Sequence, residues 1–166
     1  MTLRTGDRAL GRYTVGDLLG EGGMGQVWRG EHADLGMPVA LKVLLGEQDA
    51  VALGRFKREA QLMAKVRHPN VVSVLDYGAL DDGTPCIVME FVQGESLEHR
   101  IARGVHPWSE ALETFRGLLR GLGAIHAEGL IHRDLKPSNV VIAPGSPETP
   151  KLIDFGIARP VDEGAI

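Results

Sequence analysis

Five short runs of apolar and β-branched residues follow one another in the first half of the chain, separated by clusters of glycine, proline and aspartate. Such runs are typical of β-strands, and such clusters are typical of turns. The runs lie at 13–19, 27–30, 39–45, 71–77 and 85–91. After the third run, residues 53–66 place apolar side chains at helical spacing. This half therefore predicts a five-stranded antiparallel sheet with one helix.

Helical spacing dominates after Gly94. A short helix is predicted from about Ser96, and a longer one over 109–128, which Gly129 ends. The core-facing side of the longer helix is predicted to be formed by Leu112, Phe115, Leu119, Leu122 and Ile125.

Two further strands, 140–143 and 151–153, flank a proline-rich turn near the end of the chain. The second half is thus mainly helical with a small amount of strand. The chain as a whole is predicted to be an α+β protein that changes character at 92–95.

Composition and charge exclude several classes of protein. The 166 residues are 43% hydrophobic, and 18 basic against 22 acidic side chains give a net charge of -4, as in ordinary globular proteins. The basic residues are scattered, which argues against nucleic-acid binding. No apolar stretch approaches the roughly 20 residues of a membrane span, and no signal peptide begins the chain. The single Cys86 is expected to pack as a small hydrophobe, and the predicted location is cytoplasmic, with a downstream membrane anchor left open.

Gly20, Gly22 and Gly25 fit the pattern G-x-G-x-x-G, in which missing side chains let backbone N–H groups approach phosphate oxygens. Glycine is abundant here, so a simple tight turn is an equal alternative for this stretch alone. A dinucleotide-binding site would need a helix directly after the glycines, whereas residues 27–30 predict a strand.

Lys42 lies in an apolar strand, where an ammonium group needs an anionic partner. Glu59 in the following helix has apolar neighbours on its own face and is one candidate for that partner. The alternative is a solvated Glu59 beside Lys57 and Arg58.

Residues 132–139 combine charged and titratable side chains with an asparagine in a loop between a helix and a strand. Asp154 follows the next strand, at a position suited to a divalent cation, and Asn139 offers a second oxygen ligand.

Four motifs, at 20–27, 39–42, 132–139 and 154–156, stand in the order and spacing found in protein kinases. Over about residues 13–160 the chain therefore resembles the N-terminal half of a protein kinase domain, and its glycine stretch resembles the bacterial serine/threonine branch.

This resemblance implies a protein-kinase-like two-lobed fold. Residues 1–12 are then a flexible N-terminus, 13–91 the N-lobe, 92–95 the hinge and 96–166 an incomplete, mainly helical C-lobe. The fold implies ATP and Mg²⁺ or Mn²⁺ as cofactors and a protein as the phosphate acceptor. The acceptor protein and the oligomeric state are left open.

The resemblance also implies the catalytic residues. Asp134 would orient the substrate hydroxyl and accept its proton, and Lys136, a mark of serine/threonine specificity, would neutralise the transferring γ-phosphate. Lys42 would contact the α and β phosphates.

The remaining implied roles concern support and binding. Glu59 would hold Lys42 as an ion pair, and Asn139 and Asp154 would bind the metal ions. The implied ATP-binding residues are Leu19, Gly20, Glu21, Gly22, Gly23, Met24, Gly25, Val27, Ala40, Lys42, Met89, Glu90, Val92 and Val141. Judged singly, Leu19, Val27, Ala40 and Val141 are equally well explained as core residues.

Three interpretations are open for the 166 residues. The favoured one is an active protein serine/threonine kinase, since every catalytic position is intact. The second is a truncated nucleotide-binding or regulatory module without transfer activity, because the sequence stops ten residues after Gly156, before an activation segment. The third, a small-molecule phosphotransferase, is disfavoured by Arg133, Lys136 and the full glycine stretch.

Overall fold

The computed structural model describes residues 3–22, 25–44, 50–104, 106–144 and 149–154, without the side chains at 50–52, 55 and 59. The chain divides into two compact units. Unit 1 comprises Met1–Gln61 and Val74–Phe91, and unit 2 comprises Leu62–Ser73 and Val92–Ile166. The lobe and hinge boundaries expected from the sequence stay a prediction.

Unit 1 is built on a six-stranded antiparallel sheet. Its strands are β1 (Arg8–Ala9), β2 (Tyr13–Gly22), β3 (Gly25–His32), β4 (Pro38–Leu44), β5 (Val74–Ala79) and β6 (Pro85–Glu90), in the order β1-β2-β3-β4-β6-β5. The helix α1 (Ala50–Met63) follows β4 along the chain. The five predicted strands are all present, and the fourth begins later than expected because Val71 makes only an isolated bridge to Leu152.

The sixth strand comes from the segment that was expected to be flexible. Arg8 and Ala9 pair with Thr14 and Tyr13 of β2. Leu3 and Ala9 are buried in the same core cluster as the central strands. Burial of two apolar side chains and the added strand pairing order residues 3–12, which corrects the expectation for this part of the N-terminus.

The core cluster of unit 1 lies on one face of the sheet. It contains Leu3, Ala9, Tyr13, Val15, Trp28, Val39, Leu41, Val43, Cys86 and Val88. Alternate residues of β4 and β6 therefore face this core, and the residues between them face the other side.

Burial raises the pKa of the Cys86 thiol to about 12, so this cysteine packs as a neutral apolar residue, as predicted.

Unit 2 contains two helices and a small antiparallel sheet. The elements are β7 (Glu95–Ser96), α2 (Leu97–Ala102), α3 (Trp108–Ala127), β8 (Val140–Ile142) and β9 (Pro150–Leu152), with a 3-10 turn at Pro137–Asn139. The strands are ordered β7-β8-β9. Ser96 caps α2 by accepting a hydrogen bond from the His99 N–H at 3.1 Å, which explains why the short helix begins there.

The helix α3 is present as predicted, and Ile125 is buried as predicted, but Phe115 and Leu119 of the predicted core face are not. Its buried residues are Thr114, Gly117, Leu118, Gly121 and Ile125, whereas Phe115 and Leu119 are 65% and 64% exposed. A Cβ atom on Gly121 would lie 2.9 Å from the carbonyl oxygen of Asn70. Gly117 and Gly121 let the helix backbone approach its neighbours closely. Hydrophobic periodicity does not predict such an approach.

Candidate functional site

The loop that follows α3 reverses sharply at Arg133. This residue has a φ of 61°, and the N–H of Asp134 donates to the carbonyl of His132 at 2.8 Å. A non-glycine residue in the left-handed region is rare and costs about 1–3 kcal/mol, and such conformations concentrate at functional sites. The turn fixes the direction in which the Asp134 side chain leaves the backbone.

Asp134, Lys136 and Asn139 form one hydrogen-bonded group. The Lys136 Nζ donates to Asp134 Oδ2 at 2.7 Å. The Asn139 Nδ2 donates to the same Oδ2 at 2.9 Å and to the Asp134 carbonyl oxygen at 2.8 Å. The Oδ1 atom of Asp134 accepts no hydrogen bond from the described part of the chain, so it is the oxygen available to a ligand.

Asp134 and Lys136 each shift the pKa of the other toward the charged form. The hydrogen bond from Lys136, and then that from Asn139, lower the pKa of Asp134. The reciprocal hydrogen bond to Asp134 raises the pKa of Lys136. Asp134 is therefore a carboxylate and Lys136 an ammonium at neutral pH. Because both side chains are about half exposed, the pair serves positioning more than stability.

Asn139 and Asp154 lie at the same end of the β8–β9 hairpin. The Ile153 N–H donates to the Asn139 carbonyl at 3.0 Å, continuing the register in which Val140 faces Leu152. Asp154 is the next residue. This pairing explains how two positions fifteen residues apart in sequence come together.

The donor set at this end of the hairpin fits magnesium. Since Asn139 Nδ2 is engaged by Asp134, the amide oxygen Oδ1 faces away and remains an acceptor. Among the described residues no three His, Cys, Asp or Glu side chains form a metal cluster. Magnesium is commonly held by one or two protein oxygens together with substrate phosphates and waters, so one carboxylate and one amide suffice.

His132 is buried beneath the loop, with 2% of its surface exposed. Burial lowers its pKa, while the negative charges of Asp154 and Asp134 act in the opposite direction. The imidazole is therefore neutral at physiological pH. The buried imidazole therefore packs beneath the loop as a structural residue.

In unit 1, strand register places four of the predicted nucleotide-binding residues on one face of the sheet. Val27 lies directly opposite Lys42, and Ala40 lies opposite Met89. Directly opposed residues share a face, and this face is the reverse of the core cluster. We call it the Lys42 face. Ile87 also lies opposite Lys42 and is fully buried; the sequence analysis missed it, although its spacing from Met89 was the available signal.

The glycine stretch forms the ends of β2 and β3, residues 20–22 and 25–27, which we call the glycine hairpin. Gly20 pairs with Val27, Glu21 with Gln26, and Gly22 with Gly25. Gly25 has a φ of 152°, and a Cβ there would collide with the Val43 carbonyl oxygen, so only glycine fits. The glycines are thus succeeded by a strand, as predicted. Gly23 and Met24 lie outside the described residues.

The backbone shows where four further predicted nucleotide-binding residues lie. Leu19 is 49% exposed at an irregularity in the β2 register. Glu90 pairs with Val39 at the end of β6, and Val92 follows two residues later in unit 2. Val141 pairs with Ser96 and Lys151.

Some features of the predicted site lie outside the described part of the chain. Glu59 lies in α1, but its side chain is not described, so the ion pair with Lys42 stays a prediction. Phe155 and Gly156, which come directly after Asp154, lie outside the described residues.

Comparison with known proteins identifies the family. The family model of the protein kinase domain matches residues 13–165. The chain belongs to the protein kinase domain family. This confirms the resemblance drawn from the four motifs.

Bacterial serine/threonine kinases are among the relatives of this kinase domain. It is 49% identical over 158 residues to serine/threonine-protein kinase pkn2 of Myxococcus xanthus, covering 93% of this chain and 19% of that protein. It is 40% identical over 173 residues to serine/threonine-protein kinase PknA of Mycobacterium tuberculosis, covering 100% of this chain and 40% of the relative. The chain therefore spans less than half the length of these relatives.

Solved kinase structures share the fold. The crystal structure of the Mycobacterium tuberculosis PknI kinase domain superimposes with a TM-score of 0.77 at 35% identity, covering 96% of this chain and 64% of that one. The twitchin kinase fragment of C. elegans superimposes with a TM-score of 0.80 at 30% identity, covering 94% and 35%. The predicted kinase-like α+β fold is confirmed. No helix in the described ranges combines the length and apolar character needed to cross a membrane.

Proposed function

We propose that this kinase domain transfers the γ-phosphate of ATP to a serine or threonine hydroxyl of a protein. The observation that carries the proposal is the Asp134 carboxylate, held at Oδ2 by Lys136 and Asn139 and open at Oδ1. A fixed, ionised carboxylate with one unoccupied oxygen is suited to orient a hydroxyl and take its proton.

In the transfer, the substrate oxygen forms a bond to the γ-phosphorus, and the bond from that phosphorus to the bridging oxygen of ADP breaks. The hydroxyl proton passes to Asp134 Oδ1. Lys136, an ammonium 2.7 Å from Oδ2, would offset negative charge on the transferring group.

In this proposal the glycine hairpin and the Lys42 face bind the nucleotide, with Lys42 toward the α and β phosphates and Glu59 as its ion-pair partner. The other residues proposed to contact the nucleotide are Leu19, Ala40, Met89, Glu90, Val92 and Val141.

Asn139 and Asp154 would hold Mg²⁺ or Mn²⁺. Such an ion, when bound, neutralises phosphate charge and aligns the β and γ phosphates. The chain's own part is to present one amide oxygen and one carboxylate from the end of a single hairpin.

The test is phosphoryl transfer by the full-length protein, with γ-labelled ATP, Mg²⁺ and a general protein acceptor, followed by analysis of the phosphorylated amino acid. We expect label on serine or threonine, and its loss in Lys42→Met and in Asp154→Asn. Lys57→Met changes an exposed lysine of α1 and should transfer normally. ATP binding without any transfer by the unmodified protein would refute the proposal and favour a nucleotide-binding module.

A further inference from the structure

Gln26 is a buried polar residue within the glycine hairpin. Only 7% of its surface is exposed. It lies in β3, two residues before Trp28, which belongs to the core cluster. A buried amide is costly unless its donor and acceptor are both satisfied. Both are satisfied here, by two different partners.

The partners are the indole of Trp28 and the carboxylate of Glu21. Trp28 Nε1 donates to Gln26 Oε1 at 3.2 Å, and Gln26 Nε2 donates to Glu21 Oε2 at 3.0 Å. The indole can only donate and the carboxylate can only accept, so the amide has one possible orientation. Two hydrogen bonds thus connect Trp28 in the core, through Gln26, to the Glu21 carboxylate on the neighbouring strand β2.

The three hydrogen-bonded side chains all lie on the core side of the sheet. Gln26 faces Val43 and Trp28 faces Leu41, both on the core side, whereas Val27 faces Lys42 on the other side. Glu21 is directly opposite Gln26 and shares the core side.

We propose that Gln26 is a positioning residue of the glycine hairpin, which holds the Glu21 carboxylate on the core side and away from the Lys42 face, so that the nucleotide contact expected of Glu21 is made by its backbone N–H and not by its side chain. The inference rests on the proposed function, in which the phosphates of ATP bind on the Lys42 face. Near the end of the hairpin, a Glu21 carboxylate that Gln26 does not hold is able to move closer to bound phosphates and repel them. Gln26 thus acts on nucleotide affinity through Glu21, without touching the reacting atoms.

Gln26→Glu tests this with the least change of shape. The new carboxylate still accepts from Trp28 but repels Glu21. We expect KM for ATP to rise about tenfold, as for loss of a hydrogen bond to a charged group, with kcat changed less than about twofold. In the double variant Gln26→Glu with Glu21→Gln, the donor and acceptor exchange places, the net charge equals that of the unmodified protein, and KM should return to within about twofold.

Gln61→Glu adds the same charge at an exposed position of α1 and serves as the control, with KM unchanged. All variants are compared as full-length proteins, with thermal unfolding as the check on folding. If Gln26→Glu does not fold, Trp28→Phe replaces it, because this change keeps a ring in the core and removes only the donor; we expect it to raise KM several-fold.

An unchanged KM in a folded Gln26→Glu or Trp28→Phe variant overturns the inference, as does a raised KM that the double variant fails to restore. Mg-ATP binding is measured alongside transfer to separate this inference from the proposed function. If the unmodified protein binds no ATP, both are overturned. If it binds ATP without transferring phosphate, the proposed function fails, and the dissociation constant for ATP replaces KM in the same comparison.

Discussion

Asn139 donates from a single nitrogen, Nδ2, to both the carbonyl oxygen and the Oδ2 of Asp134, at 2.8 and 2.9 Å. One amide thereby fixes the backbone and the side chain of the proposed proton acceptor. The amide oxygen Oδ1 is left as an acceptor for the proposed metal ion. Asn139 therefore links proton transfer and metal binding, and its removal should affect both.

We expect Asn139→Ala to lower kcat about a hundredfold, within the range that general-base positioning supplies. It should also raise the Mg²⁺ concentration needed for half-maximal rate. Steady-state kinetics over a Mg²⁺ series measures both effects. The neighbouring Ser138→Ala is the control and should behave normally; a normal rate in Asn139→Ala would show that Asp134 does not depend on this amide.

Lys136 is expected to set the acid side of the pH–rate profile. Its hydrogen bond lowers the pKa of Asp134, so the carboxylate persists as pH falls below the ordinary range for aspartate. In Lys136→Ala the pKa of Asp134 should rise, and the acidic limb of log kcat should move to higher pH. Because aspartate ordinarily titrates at about pH 3.9, profiles of both proteins from pH 3 to 8 make the comparison, and superimposable acidic limbs would contradict it.

His132 should make the domain less stable in acid. Burial lowers its pKa below the value of the unfolded chain, and Asp154 and Asp134 only partly oppose this. Between those two pKa values the unfolded state binds more protons. The contribution of the neutral His132 to the free energy of unfolding is therefore fully present above about pH 6.5. It decreases as the pH falls below that value, by at most about 1.4 kcal/mol per pH unit.

Denaturant unfolding at pH 7 and pH 5 tests this contribution. His132→Phe removes the titrating group, so its loss of stability between the two pH values should be smaller than that of the unmodified protein. An equal loss in both proteins would place the acid sensitivity elsewhere.

The glycines of α3 should differ sharply in their tolerance of alanine. A Cβ at Gly121 would lie 2.9 Å from the Asn70 carbonyl oxygen, whereas a Cβ at Gly123 would meet nothing within 4 Å. Gly121→Ala should therefore destabilise the domain by about 1–3 kcal/mol through overpacking. Gly123→Ala should stabilise it by about 0.5–1 kcal/mol through helix propensity. Thermal unfolding compares the two, and equal shifts would refute the packing of this face.

The protein family was predictable because the four motifs have a characteristic order and spacing along the sequence. The motifs around Lys42, Asp134 and Asp154 were sufficient to indicate a protein kinase, and the family match confirmed it. Strand positions were predictable for a similar reason, since alternation and turn residues are local signals.

The errors concern surfaces that are buried by distant parts of the chain. Residues 3–12 have no periodic pattern, yet Leu3 and Ala9 are buried by strands far along the sequence. The buried face of α3 includes Gly117 and Gly121, which carry no hydrophobic signal, so hydrophobicity indicated Phe115 and Leu119 instead. Local periodicity cannot report a close backbone approach.

The amino-acid sequence alone shows which chemical groups are present and predicts the elements in which they lie. The contacts between these groups are seen only in the folded chain: Lys42 lies opposite Val27 on the neighbouring strand, Asn139 holds Asp134, and Gln26 joins Trp28 to Glu21. The reason is physical. A hydrogen bond or a shared sheet face depends on register and side-chain direction, which are fixed only when the whole set of strands and helices packs together.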